Sequence, residues 1–308
     1  MPVHRYKYFQ PKQAAQLRRL ELVVRGVVEG AYAGLHKSPH KGFSIEFAEH
    51  REYSPGDETR RLDWSVLART DRYYIKQYEQ ETNLRATVCL DASASMDYGS
   101  AATRGPDGAP QEHVTKFQYG CVLAASMAFL LSNQQDMVGL VAFDDKIRVE
   151  LPQGNGPGHL DQIFVQLEKL TPGKLTNIAN TLHMLSGKIP RRGLVVLISD
   201  LLDDPDKLLQ GLQRLHAGRH QLLVLQVLDR TETDLPFNQP VTLLDAEDGS
   251  RLQIDPKLIR DDYRREMENF LATVKRRCGE HRMDYMLCFT DVPWDQQLRE
   301  VLSRMARR

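Results

Sequence analysis

The sequence predicts an α/β fold: a doubly wound, mostly parallel sheet with helices on both faces. Apolar runs of strand length alternate with helical segments over about two hundred residues, which favours parallel strands joined by crossover helices. Residues 86–90 and 194–198 are short and almost wholly apolar, as is typical of strands covered on both faces. Each of these two runs leads into a polar stretch with an acid, Asp91 and Asp200.

The elements follow from periodicity and turn residues. Residues 11–35 carry an apolar helical face, and 43–47 and 73–78 are short strand patterns around a turn-rich segment, so an N-terminal helix and a small β extension are expected. In the main body, strands are expected at 86–90, 138–143, 147–151, 194–199, 222–228 and 284–289. Helices with apolar faces are expected at 114–131, 159–170, 178–189, 206–216, 258–278 and 294–305.

These elements suggest two parts. Residues 1–83 would hold the N-terminal helix and the small β extension, packed on a main domain of residues 84–308. A Gly- and Pro-containing stretch at 97–111 is expected to be a mobile loop, and turns with short strand-like pieces indicate an insertion near 231–256.

Composition excludes several classes of protein. Lys plus Arg equals Asp plus Glu at 41 each among 308 residues, which argues against a general nucleic-acid binder. The four cysteines show no metal-binding spacing, so free thiols are expected. The first 13 residues are polar and the longest apolar stretch, 121–131, is about half a bilayer span, so a cytoplasmic protein without a membrane span is predicted.

The segment Asp91-Ala92-Ser93-Ala94-Ser95 is the most informative one for function. In extended chain, alternate side chains project to one side, so the oxygens of Asp91, Ser93 and Ser95 would converge. They would do so beyond the carboxyl end of a strand, where open α/β sheets bind ligands. One carboxylate with two hydroxyls is a hard-oxygen set suited to Mg²⁺ or Mn²⁺.

The order of an acid-x-Ser-x-Ser segment, then Thr176 at a helix start, then the strand-end Asp200 resembles the metal-ion-dependent adhesion site of von Willebrand factor A domains. The resemblance implies that Ser93, Ser95 and Thr176 are metal ligands, with Asp91 and Asp200 acting directly or through water. It also implies a six-stranded sheet in the order 3-2-1-4-5-6, with the strand at 147–151 antiparallel at one edge. The alternative is that the hydroxyls cap helices and the acids cap turns.

Such a site suits docking. Neutral hydroxyls and few carboxylates leave positive charge on the cation, and magnesium keeps waters where protein ligands are few. A water-filled position can accept a Glu or Asp from another protein.

A second signature lies at 51–81. Charged residues of alternating sign surround one large aromatic side chain; they are Arg51, Asp57, Arg60, Asp63, Trp64 and Arg69. One interpretation is that the segment is structural, held in place by Arg–Asp ion pairs around a buried Trp64. This interpretation is favoured because Arg side chains often pair with nearby Asp. The other is an exposed recognition surface.

The spacing of this signature is specific. Tyr-x-Pro-Gly-Asp at 53–57, Arg-x-Leu-Asp-Trp at 60–64 and Ala-Arg at 68–69, continuing through Lys76, Glu79 and Glu81 to Asp91, resembles the "domain of unknown function 58" family. The resemblance implies a von Willebrand A-like domain that serves as an adaptor or co-chaperone for a MoxR-type AAA+ ATPase and its client proteins. Many members carry transmembrane helices ahead of this region. None is expected in this chain, so a membrane-anchored role is not expected to transfer to it.

Enzyme motifs are absent from the sequence. It contains no GxSxG elbow and no phosphate-binding GxxxxGK[ST] loop, and its ten histidines show no HExxH spacing. A magnesium-dependent hydrolase with Asp97 or Asp203 as base remains an alternative, as does a metal-free structural scaffold. The prediction is a magnesium-dependent protein-interaction module that is not an enzyme.

Overall fold

The computed structural model describes residues 6–9, 13, 17, 45–53, 63–80, 84–99, 102–104, 110–173, 178–189, 192–244 and 249–306. The chain divides into two compact units, one of residues 1–35 with 84–308 and one of residues 36–83. The described residues near the N-terminus, 6–9, 13 and 17, fall in the first unit. The division of the chain at residue 83 stays a prediction.

The smaller unit contains the predicted β extension. Strand β1 (Ile45–Glu52) pairs antiparallel with β2 (Tyr74–Gln80), and helix α1 (Trp64–Thr70) lies between them in the chain. The pairing register shifts between Phe47 and Glu49, which marks a β-bulge. Most of the predicted helix at 11–35 lies outside the described residues, although Gln13 and Leu17 are helical.

From residue 84 onward, the larger unit begins with β3 (Arg85–Asp91) and a single 3₁₀ turn (Ala94–Asp97). A short antiparallel pair follows, β4 (Ala102–Arg104) with β5 (Pro110–His113), within the stretch that the sequence predicted as a loop. The remaining elements come in chain order: α2 (Lys116–Asn133), β6 (Met137–Phe143), β7 (Ile147–Gly154), α3 (Pro157–Lys169), α4 (Ile178–Lys188), β8 (Leu194–Ser199), α5 (Pro205–Ala217), β9 (Gln221–Leu228), α6 (Arg230–Asp234), β10 (Val241–Leu244), β11 (Arg251–Ile254), α7 (Pro256–Glu280), β12 (Asp284–Phe289) and α8 (Trp294–Ala306).

The main sheet has six strands in the order β12-β9-β8-β3-β6-β7. Counted within this sheet and read from the other edge, that is 3-2-1-4-5-6, as predicted. Every pair is parallel except β6 with β7, so the strand that begins at Ile147 is antiparallel at one edge. The predicted insertion contains α6 and the antiparallel pair β10–β11. The α/β fold class, the strand order and the flanking helices are confirmed.

Alternation along the strands builds a core on each face of the sheet. Val88 and Leu90 join a cluster with buried residues of α2, α3 and α8, whereas Cys89 joins the opposite cluster with those of α4, α5 and α7. All four cysteines are free and buried, as predicted. None of the helices that the structure describes has the length and apolar character needed to cross a bilayer.

Gly193 tests how closely the sheet is packed. A Cβ at Gly193 would overlap the backbone oxygen of Arg85 at the start of β3, whereas one at the exposed Gly187 in α4 would meet open space. We expect Gly193→Ala to lower the free energy of unfolding by about 1–3 kcal/mol through this clash. Gly187→Ala, the matched control, should raise it by about 0.5 kcal/mol because alanine favours the helix. Urea unfolding measures both, and a neutral Gly193→Ala would contradict the packing.

Asp136 gives the fold a pH dependence. Its carboxyl is buried just before β6, where Oδ1 accepts the Leu84 N–H at 3.1 Å and Oδ2 has no hydrogen-bond partner among the described residues. Burial raises the pKa of Asp136 to about 7, with the Leu84 N–H opposing it. Because the folded state then holds the proton more tightly than the unfolded state, stability falls as the pH rises from about 4 to about 7.

We expect Asp136→Asn to reduce this loss, so that the variant gains stability relative to the native chain between pH 5 and pH 8. Urea unfolding at both pH values measures the difference. Asp261→Asn, on the exposed face of α7, is the control, and its pH profile should run parallel to that of the native chain. Parallel pH profiles for Asp136→Asn and the native chain would contradict the assignment.

Candidate functional site

Asp91, the last residue of β3, is fully buried. It lies at the carboxyl edge of the sheet, which is the edge formed by the C-terminal ends of the parallel strands. Its Oδ1 accepts the Ser93 N–H at 2.9 Å, and its Oδ2 accepts the Ser199 hydroxyl at 2.6 Å. Burial, reinforced by the negative charge of Asp200, raises the pKa of Asp91 to about 7, although the hydrogen bonds from Ser199 and Ser93 oppose this. The edge therefore concentrates negative charge in a place where water solvates it poorly.

Ser93 and Ser95 bring their hydroxyls together. Ser93 stands at the N-cap position of the 3₁₀ turn, yet its side chain makes no capping hydrogen bond. Its Oγ lies 3.1 Å from the Oγ of Ser95 instead. The predicted convergence is present, but the reason differs, because Ser95 lies in the turn and not in extended chain. The Ser93 hydroxyl therefore does not act as a helix cap, which was the alternative role.

Asp200 follows β8 directly, and β8 pairs in parallel with β3, so that the two acids end neighbouring strands. Its Oδ2 lies 2.8 Å from Nζ of Lys116, and its Oδ1 accepts the Leu202 N–H at 3.3 Å. Leu201 has φ of 54°, a left-handed conformation that is costly for a bulky residue. The bond from Leu202 shows that Asp200 also caps its own turn.

Lys116 is the unexpected member of this edge. It is the first residue of α2 and is 0% exposed, and its Nζ bridges Asp200 and Glu232, at 2.8 and 2.6 Å. Burial alone would lower the pKa of the ammonium, but the charges of both carboxylates and their hydrogen bonds outweigh it, so the pKa of Lys116 is raised. The edge therefore already contains a permanently charged cation.

Local sequence places both partners of that bridge. Thr115 caps α2 in a reciprocal capping box with Gln118, which fixes Lys116 at the first helical position. Asp229 forms a second capping box with Glu232, which fixes Glu232 in the first turn of α6. Lys116 and Glu232 are not among the predicted site residues, although the capping signals Thr-x-x-Gln at 115–118 and Asp-x-x-Glu at 229–232 are readable in the sequence.

Two further polar side chains support the edge and were also missed. Ser199 links the two acidic turns, since its hydroxyl donates to Asp91 and accepts the Leu201 N–H at 3.0 Å. Gln226, buried on β9, donates from Nε2 to the backbone oxygen of Asp200 at 2.8 Å. The alternating pattern of the sequence places Ser199 and Gln226 on strands, but it does not indicate that their side chains hydrogen-bond to the residues of a site.

Thr176 lies outside the described residues, so its role as a ligand stays a prediction. The chain just before it is located: the Gly173 N–H donates to the backbone oxygen of Ala92 at 2.6 Å. Residue 173 is therefore beside the Asp91 segment.

The second signature is only partly described. Asp57 and Arg60 lie outside the described residues, Arg51 is in β1 and Arg69 is in the last turn of α1. Asp63 is buried and accepts the Val66 N–H at the start of α1, which fits a structural role. Trp64 is 64% exposed. The prediction of a buried Trp64 is therefore wrong, because α1 turns this side chain outward.

The donor set at this edge fits a hard cation in part. Oxygens in adjacent octahedral positions around magnesium are about 3 Å apart, close to the Ser93–Ser95 separation of 3.1 Å. Asp200, in contrast, faces the Lys116 ammonium. In the part of the chain that the structure describes, no three His, Cys, Asp or Glu side chains form a metal cluster. A site here would rest on hydroxyls with Asp91.

Comparisons with known proteins identify the family. The model described as "Protein of unknown function DUF58" matches residues 49–272. An uncharacterized protein of Mycobacterium tuberculosis is 32% identical over 303 residues, covering 97% of this chain and 90% of that protein. An uncharacterized protein of Mycobacterium bovis matches with the same identity and coverage.

Two solved structures are similar in outline. The conserved hypothetical protein BatB from Bacteroides thetaiotaomicron is 15% identical, with 73% of this chain and 100% of that chain covered and a TM-score of 0.47. The SpRpn10 VWA domain is 11% identical, with 72% of this chain and 93% of that chain covered and a TM-score of 0.36. The family model and the mycobacterial relatives, with the strand order, carry the assignment: this chain belongs to the DUF58 family and has a von Willebrand A-like fold.

Proposed function

We propose that the chain is a protein-interaction module whose carboxyl edge binds an acidic side chain of a partner through a divalent cation. The observation that carries this proposal is the pair of Ser93 and Ser95 hydroxyls, 3.1 Å apart beside the buried carboxylate of Asp91. The Ser93 hydroxyl caps no N–H of the 3₁₀ turn, and its oxygen lies next to that of Ser95, so the two oxygens can face one cation.

Magnesium is the cation that these donors suit, with manganese as its closest substitute. Ser93 and Ser95 would coordinate it, Thr176 would complete the set as the sequence predicts, and the nearby carboxylate of Asp91 would balance part of its charge. Bound there, magnesium supplies a Lewis-acidic position that a partner carboxylate can fill. Asp91 itself is positioned by Ser199 and by the Ser93 N–H, which hold its oxygens in place.

The partner that the family resemblance implies is a MoxR-type AAA+ ATPase, for which this chain would act as an adaptor or co-chaperone towards client proteins. A docking role agrees with the chemistry of the described edge. Asp97 is exposed, and Asp203 uses its Oδ1 on the neighbouring Asp204 N–H, so neither is visibly poised as a general base beside Ser93. We therefore propose binding and not hydrolysis.

Capture of the partner tests this function. A purified, nucleotide-free MoxR-type ATPase from the source organism is assayed against the immobilised chain, with Mg²⁺ or with EDTA, so that chelation does not act through the ATPase's own nucleotide. We expect Ser93→Ala/Ser95→Ala to weaken capture at least about tenfold, because loss of metal-site residues has effects of that size or larger. EDTA should weaken capture by the native chain to a similar extent.

Ser186→Ala is the matched control, since that hydroxyl only donates to a backbone oxygen within α4. It should capture the ATPase as the native chain does. If the amount of ATPase captured changes neither with the double substitution nor with EDTA, the metal bridge is contradicted. Loss of capture in Trp64→Ala alone would instead place the interface on the exposed aromatic residue of the second signature.

A further inference from the structure

The carboxyl edge already contains one cation that belongs to the chain. Among the acids at this edge, Asp91 and Asp200 are at strand ends and Glu232 is in α6, and the Lys116 ammonium contacts the last two. Its side chain is fully shielded from water, as is that of Asp200, to within 1%. The attraction between such buried charges is screened little by salt or solvent.

Lys116 is not a reactive lysine. Nucleophilic lysines are activated by a lowered pKa, whereas the two carboxylates raise the pKa of Lys116 and keep it protonated. It is also out of reach of solvent. Its chemistry is that of a fixed positive charge.

The position of that charge matters for Asp200. Oδ2 of Asp200 is occupied by Lys116 at 2.8 Å, and Oδ1 accepts the Leu202 N–H at 3.3 Å. Both oxygens therefore have protein donors. A divalent cation that took Asp200 as a ligand would have to displace the ammonium or sit beside it, and either arrangement weakens metal binding.

We infer that Lys116 is a built-in counter-cation that withholds Asp200 from the metal and thereby sets the affinity of this edge for divalent cations. The inference rests on the proposed metal site and deepens it. The native chain binds metal through the hydroxyls with Asp91, while the Lys116 ammonium neutralises the carboxylate of Asp200 in place of a metal ion. Lys116 is thus a positioning and affinity-determining residue.

Direct titration with Mn²⁺, followed by the loss of the free-ion electron paramagnetic resonance signal, tests the inference on the purified chain without any partner. We expect Lys116→Met, which keeps the length of the side chain and removes its charge, to bind Mn²⁺ at least tenfold more tightly than the native chain. Mg²⁺ should compete for the new site. Lys207→Met, on the exposed first turn of α5, is the matched control and should leave affinity unchanged.

A second variant isolates Asp200. Lys116→Met/Asp200→Asn should lose the gain, because the released carboxylate is then absent. Should Lys116→Met fold poorly without metal, millimolar Mn²⁺ is expected to raise its melting temperature while leaving that of Lys207→Met unchanged, since a cation that binds only the folded state stabilises it.

The inference is overturned if Lys116→Met binds Mn²⁺ within twofold of the native chain, or if neither affinity nor melting temperature responds to the metal. It is equally overturned if the gain survives Asp200→Asn. These readouts use metal alone, so they are independent of partner capture. Failure of the proposed docking function with a positive Mn²⁺ result would leave the role of Lys116 intact.

Discussion

Placing two carboxylates at the ends of adjacent parallel strands is the constraint on which this edge of the molecule depends. Asp91 and Asp200 are both buried, and each ends a strand of the β3–β8 pair. Buried like charges cost free energy unless a cation or several donors compensate them. The chain supplies donors to Asp91 through Ser199 and Ser93, and supplies an ammonium to Asp200 through Lys116.

That compensation ties distant parts of the chain together. Lys116 is the first residue of α2, and Glu232 lies in α6, at the start of the insertion. The Lys116 ammonium therefore connects α2, which packs on one face of the sheet, to α6. Gln226 and Ser199 brace the same edge from neighbouring strands. The carboxyl edge is thus a network of polar side chains contributed by several helices and strands. Such a network specifies a single arrangement when every polar group in it has a hydrogen-bond partner.

The two signatures in the sequence have different relations to the structure. The Asp91-x-Ser93-x-Ser95 segment forms a convergent group of oxygens at the edge where ligands bind in open α/β sheets. The second signature contains a buried helix-capping acid, Asp63, directly followed by an exposed aromatic side chain, Trp64. Exposed large aromatic residues are enriched at protein interfaces, so both signatures are compatible with a protein that functions by binding.

The sequence by itself determined the α/β class, the strand order through the family resemblance, and the strand-end acids with their neighbouring hydroxyls. These follow from local periodicity and from residue types, which act over short stretches of chain. Only the tertiary structure decided which cation faces Asp200, because Lys116 and Glu232 lie 84 and 32 residues away from it along the chain. These charged groups come into contact only when α2 and α6 pack at the carboxyl edge, and a periodic sequence pattern does not predict such a contact. The outward direction of Trp64 was decided in the same way. The tendency of Arg to pair with nearby Asp favoured a buried Trp64, but the position of this residue at the start of α1 sets the direction of its side chain.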